Sequence, residues 1–359
     1  MKDLFFVNSS KSWGGGEKWH FSAARALSED FRVSVVGAPD SALVQRASNV
    51  GMQVCSIGIS NLSFLNPLKL FRLYRLFKAA HEPTVILNLP SDVKLAGVAA
   101  RLAGVKKIVY RRGMPKAIKN TWMNRYLFQN VVTDVIVNSE EIGRSLTKNN
   151  EALVSPDKVH LIYNGVDPSN YVNFNGAGAC QKQAGMLTIG TVGRMVEQKN
   201  QLQLLEVISR LKRQGHSVRL LIAGDGPLKG QMEARISGEG LESDVTLLGF
   251  LEDSRELLSC IDVFVFPSHY EGSANAIVEA MAMQLPVVAY DVSSMPEMVL
   301  DGETGFLAKY DDPEDFAEKT SRLLSDKDLG ERMGAAGLER VKQIFSNNKN
   351  VEALKRVLT

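Results

Sequence analysis

The sequence predicts two doubly wound α/β domains, each a parallel sheet covered by helices on both faces. Three observations carry this: a repeating alternation of short β-rich runs and helical segments, a stall in that alternation near Asn164, and its restart at Leu187. Alternation of this kind makes parallel sheets whose strands are buried on both sides. A length of 359 residues, at roughly 100 to 200 residues per domain, also calls for two domains.

In order, Leu4 to Val7 reads as a strand and Glu17 to Leu27 as a helix, with Phe21, Ala24 and Leu27 at helical spacing. Strands follow at Val33 to Val36, Val54 to Ile57, Val85 to Leu89, Ile108 to Tyr110, Val135 to Val137 and Val159 to Ile162. The segment from Asn164 to Gly185 is rich in Gly and Asn, has no clear period, and reads as a linker. Beyond it come strand Leu187 to Val192, a helix from about Gln201, and strands Arg219 to Ala223, Val245 to Leu248 and Val263 to Phe266. A helix ending at Met283 and strand Val287 to Tyr290 complete the series. Helical runs Phe316 to Leu324, Gly330 to Phe345 and Asn350 to Leu358 close the chain.

With 45% apolar and 23% charged residues the composition is that of chains that bury cores, which excludes disorder, collagen and coiled coil. Cys55, Cys180 and Cys260 lie far apart without a CxxC pair, so neither a disulfide framework nor a structural zinc site is expected. No apolar run approaches the ~18 residues of a membrane span, and the N-terminus lacks a signal-peptide core. The expected location is cytoplasmic, with the possibility of peripheral attachment to the cytoplasmic face of the membrane. Net charge is +2, yet residues 1–165 hold 22 Lys+Arg and 12 Asp+Glu (+10), and residues 166–359 hold 20 and 28 (−8). The halves are electrostatically opposite.

Ligands of open parallel sheets sit outside the carboxyl ends of the strands, and three loops there carry chemistry. Ser12-Trp13-Gly14-Gly15-Gly16-Glu17 lets a backbone approach a phosphate or sugar at a helix N-terminus, or is simply a tight turn. It is not GxGxxG, which weakens a dehydrogenase reading. Gly193 to Asn200 holds Arg194 and Lys199 five positions apart, a guanidinium and an ammonium suited to a diphosphate. Pro267 to Ala282 places Glu271 and Gly272 in a loop and Glu279 on the following helix, with the helix amides near Ser273, Ala274 and Asn275 offered to an anion.

Together these loops resemble the retaining, nucleotide-sugar-dependent glycosyltransferases of the GT-B fold, glycosyltransferase family 4 in particular. The resemblance runs over almost the whole chain. Its carriers are Gly14-Gly15-Gly16-Glu17, Asn164-Gly165-Val166-Asp167, Gly193-Arg194 with Lys199, Ala223-Gly224-Asp225-Gly226-Pro227, and Pro267-Ser268 with the pair Glu271 and Glu279. Glu279-Ala280-Met281-Ala282, Pro286-Val287-Val288-Ala289 and Asp301-Gly302-Glu303-Thr304-Gly305 complete the set. Each is weak alone, but their order and spacing are specific.

The resemblance implies an N-terminal acceptor-side domain (1–168, with helix 346–359 crossing back) and a C-terminal donor domain (169–345), facing a central cleft. It implies transfer of a sugar from a nucleotide-diphosphate sugar, a UDP-sugar first among them, to a glycan or lipid-linked acceptor in cell-surface polysaccharide or glycolipid biosynthesis. Arg194 and Lys199 would neutralise the leaving diphosphate, Glu279 would hold the donor ribose, and Glu271 would contact the transferred sugar. Backbone at Gly272, Ser273, Ala274 and Asn275 would complete the phosphate cradle, with Gly15, Gly16 and Gly224 nearby and Phe250 beside the base. Catalysis would rest on Arg194, Lys199 and Glu271, with retention and neither cofactor nor metal. The lone DxD spelling, Asp326-Lys327-Asp328, reads as a helix connection.

One departure stands out. Where many relatives end a strand in Val-His-Gly, this chain reads Tyr110-Arg111-Arg112-Gly113. Arginine is no general base at neutral pH, so Arg112, with Arg111, is expected to contact an anionic part of donor or acceptor, or else to form an ion pair in its own domain. Val292-Ser293-Ser294-Met295 and Gln284 replace glycines usual in relatives. The histidines, His20, His81, His160, His216 and His269, read as structural.

Asn66 to His81 spaces Lys69, Arg72, Arg75 and Lys78 among leucines and aromatics, the pattern of a helix lying on an anionic membrane or of an ordinary covering helix. Nucleic-acid binding lacks a motif. Two alternatives remain: an epimerase or hydrolase of the same fold, which would turn over donor without acceptor, and a non-catalytic nucleotide-sugar binder, which would not turn it over at all.

Overall fold

The computed structural model describes residues 1–148, 153–176 and 185–359. Part of the expected linker, residues 177–184 with Cys180, lies outside the described residues. The chain forms two compact units, Met1–Asn164 with Lys349–Thr359, and Gly165–Asn348.

The first unit contains β1 (Asp3–Asn8), β2 (Arg32–Gly37), β3 (Gln53–Ser56), β4 (Thr84–Leu87), β5 (Lys107–Arg112), β6 (Asp134–Val137) and β7 (Val159–Leu161). Their order is β3-β2-β1-β4-β5-β6-β7, and every neighbouring pair is parallel. Side chains alternate between faces along a strand. Phe5 and Val7 of β1 therefore enter one core, with Leu73, Phe77 and Tyr110, while Leu4 and Phe6 enter the opposite one. Burial on both sides is why β1 reads as a continuous apolar run.

Leu354 and Leu358, from the helix Asn347–Leu358, fill the second of these cores beside Ile136 and Ile162. Lys355 adds an ion pair to Asp30 at 2.7 Å.

The second unit contains β8 (Leu187–Val192), β9 (Val218–Ala223), β10 (Val245–Gly249), β11 (Val263–Phe266), β12 (Val287–Tyr290) and β13 (Gly305–Ala308), all parallel, in the order β10-β9-β8-β11-β12-β13. β13 is absent from the sequence expectation: it is four residues long and begins on a glycine, directly after the turn at Asp301–Thr304. The helix expected from Gln201 begins at Leu204 behind a short 3-10 turn, and Asp326 caps the helix Lys327–Ile344 by accepting from Leu329 N at 2.9 Å.

In both sheets the strand order reverses direction beside the unit's first strand, between β1 and β4 and between β8 and β11. Loops leaving those strands part to opposite faces there and open a crevice. No helix of the described residues is long and apolar enough to cross a membrane.

Candidate active site

In the second unit the loops after β8 and β11 are tied to each other. His269 N donates to Gln198 O at 2.9 Å, and Gln198 Nε2 donates to Tyr270 O at 2.8 Å. Lys199 Nζ then meets Glu271 Oε1 at 2.6 Å while resting 4.9 Å from the centre of the Phe266 ring. Side-chain exposure is 21% for Lys199 and 9% for Glu271. Arg194, by contrast, is exposed and has no side-chain partner among the described residues.

Two glycines set the path of the Arg194 loop. Gly224 has φ 143°, and a Cβ there would lie 1.9 Å from Gly193 O; at Gly226 it would lie 2.4 Å from Met195 O. The chain between β9 and the next helix thus packs backbone against backbone on the turn that carries Arg194, with Gly193 N donating to Ala223 O and Met195 N to Asp225 O. No larger residue fits. Phe250 follows β10 and is 72% exposed.

The helix Asn275–Ala282 starts at Ala274, whose side chain cannot cap it, beside Gly272 and Ser273. No side chain caps this end; of its amides, Asn275 N donates to Ser273 O at 3.0 Å and Ile277 N to Ala274 O at 2.9 Å. Glu279, on the same helix, accepts from Ser254 Oγ at 2.6 Å. Sequence reasoning missed Ser254, which nothing in its local pattern marks. It also missed the role of Ser293: its hydroxyl donates to Glu271 O at 2.8 Å and accepts from Glu271 N at 3.2 Å, with the serine itself at φ 56°. That serine lies in the stretch that departs from the family pattern, the one signal that could have found it.

In the first unit Gly14 to Gly16 open the helix Gly15–Leu27. Glu17 accepts from Gly14 N at 2.9 Å and from Asn8 Nδ2 at 3.4 Å, which fixes the loop to the end of β1. Arg111 and Arg112 end β5 and are only 4% and 8% exposed. Arg111 lies 5.1 Å from the centre of the Trp19 ring and donates to Asn164 Oδ1 at 3.3 Å; Arg112 donates to Tyr110 Oη at 3.3 Å. Neither forms an ion pair among the described residues, so the alternative of a carboxylate partner within the domain is not realised. Burial pulls the Arg111 guanidinium down to about 10, with Glu17 opposing the shift.

Two further titratable groups are enclosed here. Asp92 accepts from Ser9 Oγ at 2.5 Å and Leu89 N at 2.9 Å, and desolvation raises its carboxyl to about 6. His20 bonds Gly16 O through Nδ1 at 3.0 Å, and burial, then Arg111, lower it to about 3. His160 meets Asp134, His216 meets Ser321 and His269 meets Tyr310. No group of three or more His, Cys, Asp or Glu among the described residues could hold a metal ion.

The Lys69 expectation is corrected by its contacts: its ammonium donates to Gly58 O and, at 3.4 Å, to Ser63 Oγ, so it braces the preceding loop and does not join the outer cations.

Two family descriptions match the chain: Glycosyltransferase Family 4 over residues 13–170 and Glycosyl transferases group 1 over residues 187–326. EpsF of Bacillus subtilis is 33% identical over 254 residues, covering 66% of this chain and 64% of its own. The capsular polysaccharide biosynthesis glycosyltransferase CapM of Staphylococcus aureus is 29% identical over 225 residues, covering 60% and 58%. The chain thus spans less than two thirds of these relatives. Among solved structures, Anabaena Alr3699/HepE in complex with UDP and glucose superimposes with a TM-score of 0.84 at 20% identity, covering 100% of this chain and 99% of that one.

Proposed function

This chain belongs to glycosyltransferase family 4 and has the GT-B fold of two Rossmann-like units, and from that premise we propose that it transfers a sugar from a nucleotide-diphosphate sugar to a glycan or lipid-linked acceptor in polysaccharide or glycolipid biosynthesis. A UDP-sugar is the donor of first choice, in keeping with the UDP in the Anabaena complex. The observation that carries the reading is the Lys199–Glu271 pair at the carboxyl edge of β8 and β11, beside the exposed Arg194 and the uncapped helix at Asn275.

The chemistry follows from that grouping. Breaking the bond between an anomeric carbon and phosphate puts negative charge on the departing diphosphate. Fixed cations and helix amides aimed at the phosphates lower that barrier. Arg194 and Lys199 supply the charge, Glu271 orients sugar hydroxyls, and Glu279, steadied by Ser254, takes the ribose hydroxyls. Retention without a metal is the course proposed.

Membrane contact belongs to the same reading. Leu62, Leu65, Leu68 and Phe71 are exposed at three-residue spacing, Leu68 by 79%, and Arg72, Arg75 and Lys78 continue the outer surface of the helix Pro67–Lys78. Apolar side chains flanked by cations suit an anionic lipid surface.

The test is release of nucleoside diphosphate from UDP-, GDP- and ADP-sugars, with and without lipid-linked or glycan acceptors and with chelator present. Acceptor-dependent release supports transfer. Release that ignores the acceptor would favour the hydrolase or epimerase alternative, and binding without release a non-catalytic protein.

A further inference from the structure

The last two residues of β5 present an unusual charge arrangement. Arg111 and Arg112 are both more than nine-tenths buried, and each makes a single 3.3 Å hydrogen bond to a neutral oxygen. The Nε atom of each has no partner. A guanidinium carries five donors, so most of this capacity is unused. Removing such a charge from water is strongly unfavourable unless an anion compensates it.

Arg111 sits beside the side-chain amide of Asn88 and the first turn of the helix Gly15–Leu27, and Glu17 is the acid that acts on its charge. A Cβ at Gly16 would lie 3.5 Å from Arg111 Nη1 and 3.2 Å from Asn88 Nδ2, so the first turn of the helix Gly15–Leu27 closes directly on both groups. A Cβ at Gly113 would lie 2.7 Å from the same Nη1, so the guanidinium also packs directly against the backbone that follows β5. Glu17, the nearby acid, is already engaged by Gly14 N and Asn8. A helix N-terminus, an amide and a buried guanidinium with a free Nε therefore meet at the carboxyl edge of the sheet, where ligands of this architecture bind.

We propose that Arg111, with Asn88, recognises a carboxylate or phosphate carried by a substrate in addition to the donor's diphosphate. This rests on the glycosyltransferase reading, in which the diphosphate already has Arg194, Lys199 and the helix at Asn275 in the second unit. A separate cationic site, in the half of the sequence that carries +10, calls for a separate anion. Arg112 leaves the strand on the opposite face and adds to the positive potential of the edge. The substrate class is thus an anionic sugar or a phosphate-bearing acceptor.

The experiment is a thermal-shift titration of the whole chain held in saturating UDP, adding inorganic phosphate, glucuronate, or glucose as a neutral control at constant ionic strength. The expected result is a rise in Tm of several degrees with phosphate or glucuronate and none with glucose. Glucuronate alone acting identifies a sugar carboxylate, and phosphate alone a phosphorylated acceptor. Arg111→Met should weaken the response at least tenfold in anion concentration, and its anion-free Tm should stay level or rise, because an uncompensated buried charge has gone.

Three results would overturn the proposal: no response in the unmodified chain, a response that UDP abolishes, which assigns the arginine to the diphosphate, or an Arg111→Met chain with a lowered Tm and an intact response. The shift caused by UDP itself is read in the same assay. Its absence would count against the glycosyltransferase reading separately from the anion site.

Discussion

Lys199 Nζ and Glu271 Oε1, 72 residues apart in sequence, are 2.6 Å apart in the structure. The contact ties the loops after β8 and β11 together, and in the proposed reaction a diphosphate would compete with Glu271 for the ammonium. Lys199→Ala should slow transfer by about 100-fold or more. Glu271→Ala combined with it should cost much less than the two single effects multiplied, since both act on one pair. Steady-state rates of the three variants decide this, and independent, multiplying effects would remove the pair from the mechanism.

Gly224→Ala tests the backbone contact beneath Arg194. With φ at 143° and Gly193 O only 1.9 Å from the new methyl, strain and overlap should cost on the order of 2–4 kcal/mol. Urea denaturation would read the loss, and an unchanged midpoint would mean that the Arg194 turn is not held from below.

Asp92 and His20 give a pH prediction in which two signs oppose. Asp92 titrates near 6 in the folded chain against 3.8 ordinarily, so the folded state holds more protons between those values and this group lowers stability as pH rises through them. His20 titrates near 3 against 6.5, so the unfolded state holds more protons and this group raises stability over the same rise. Each contributes up to roughly 1.4 kcal/mol per pH unit, and between pH 4 and 6 they offset. Asp92→Asn should therefore make stability climb with pH across that window, and His20→Gln should make it fall. Parallel pH profiles for both variants would contradict the burial of these groups.

Leu68→Glu with Phe71→Glu should abolish flotation with vesicles of phosphatidylglycerol and phosphatidylcholine, and Lys69→Gln should change it little, because that ammonium points back to Gly58. Equal losses from both changes would show that charge alone, not the apolar surface, governs attachment.

How much of this was legible in the sequence depended on range. Seven strands of the first sheet and five of the second announce themselves because burial on both faces makes each a local apolar run, as in Leu4 to Val7. β13 does not, since its four residues start on Gly305, which reads as the end of a turn. Arg194, Lys199, Glu271 and Glu279 could be picked out by type and spacing. Their partnerships could not: Ser254 reaches Glu279 across 25 positions, and Ser293 grips Glu271 across 22. Gly224 was visible as a glycine, but only the path of the neighbouring turn explains why no methyl fits. The two arginines after Tyr110 were visible as a departure, and their burial without a counter-ion was not.

The helix Asn347–Leu358 also bears on how the protein is made. Leu354 and Leu358 belong to a core whose other members, from Leu4 to Ile162, are translated far earlier. On the ribosome that core waits, with an apolar strip uncovered, while nearly two hundred residues of the other unit are synthesised. An emerging chain with such a strip is a target for chaperones and for aggregation. The unit that begins first waits for a segment made after the other, so premature termination before Asn347 would leave an N-terminal half without its closing helix.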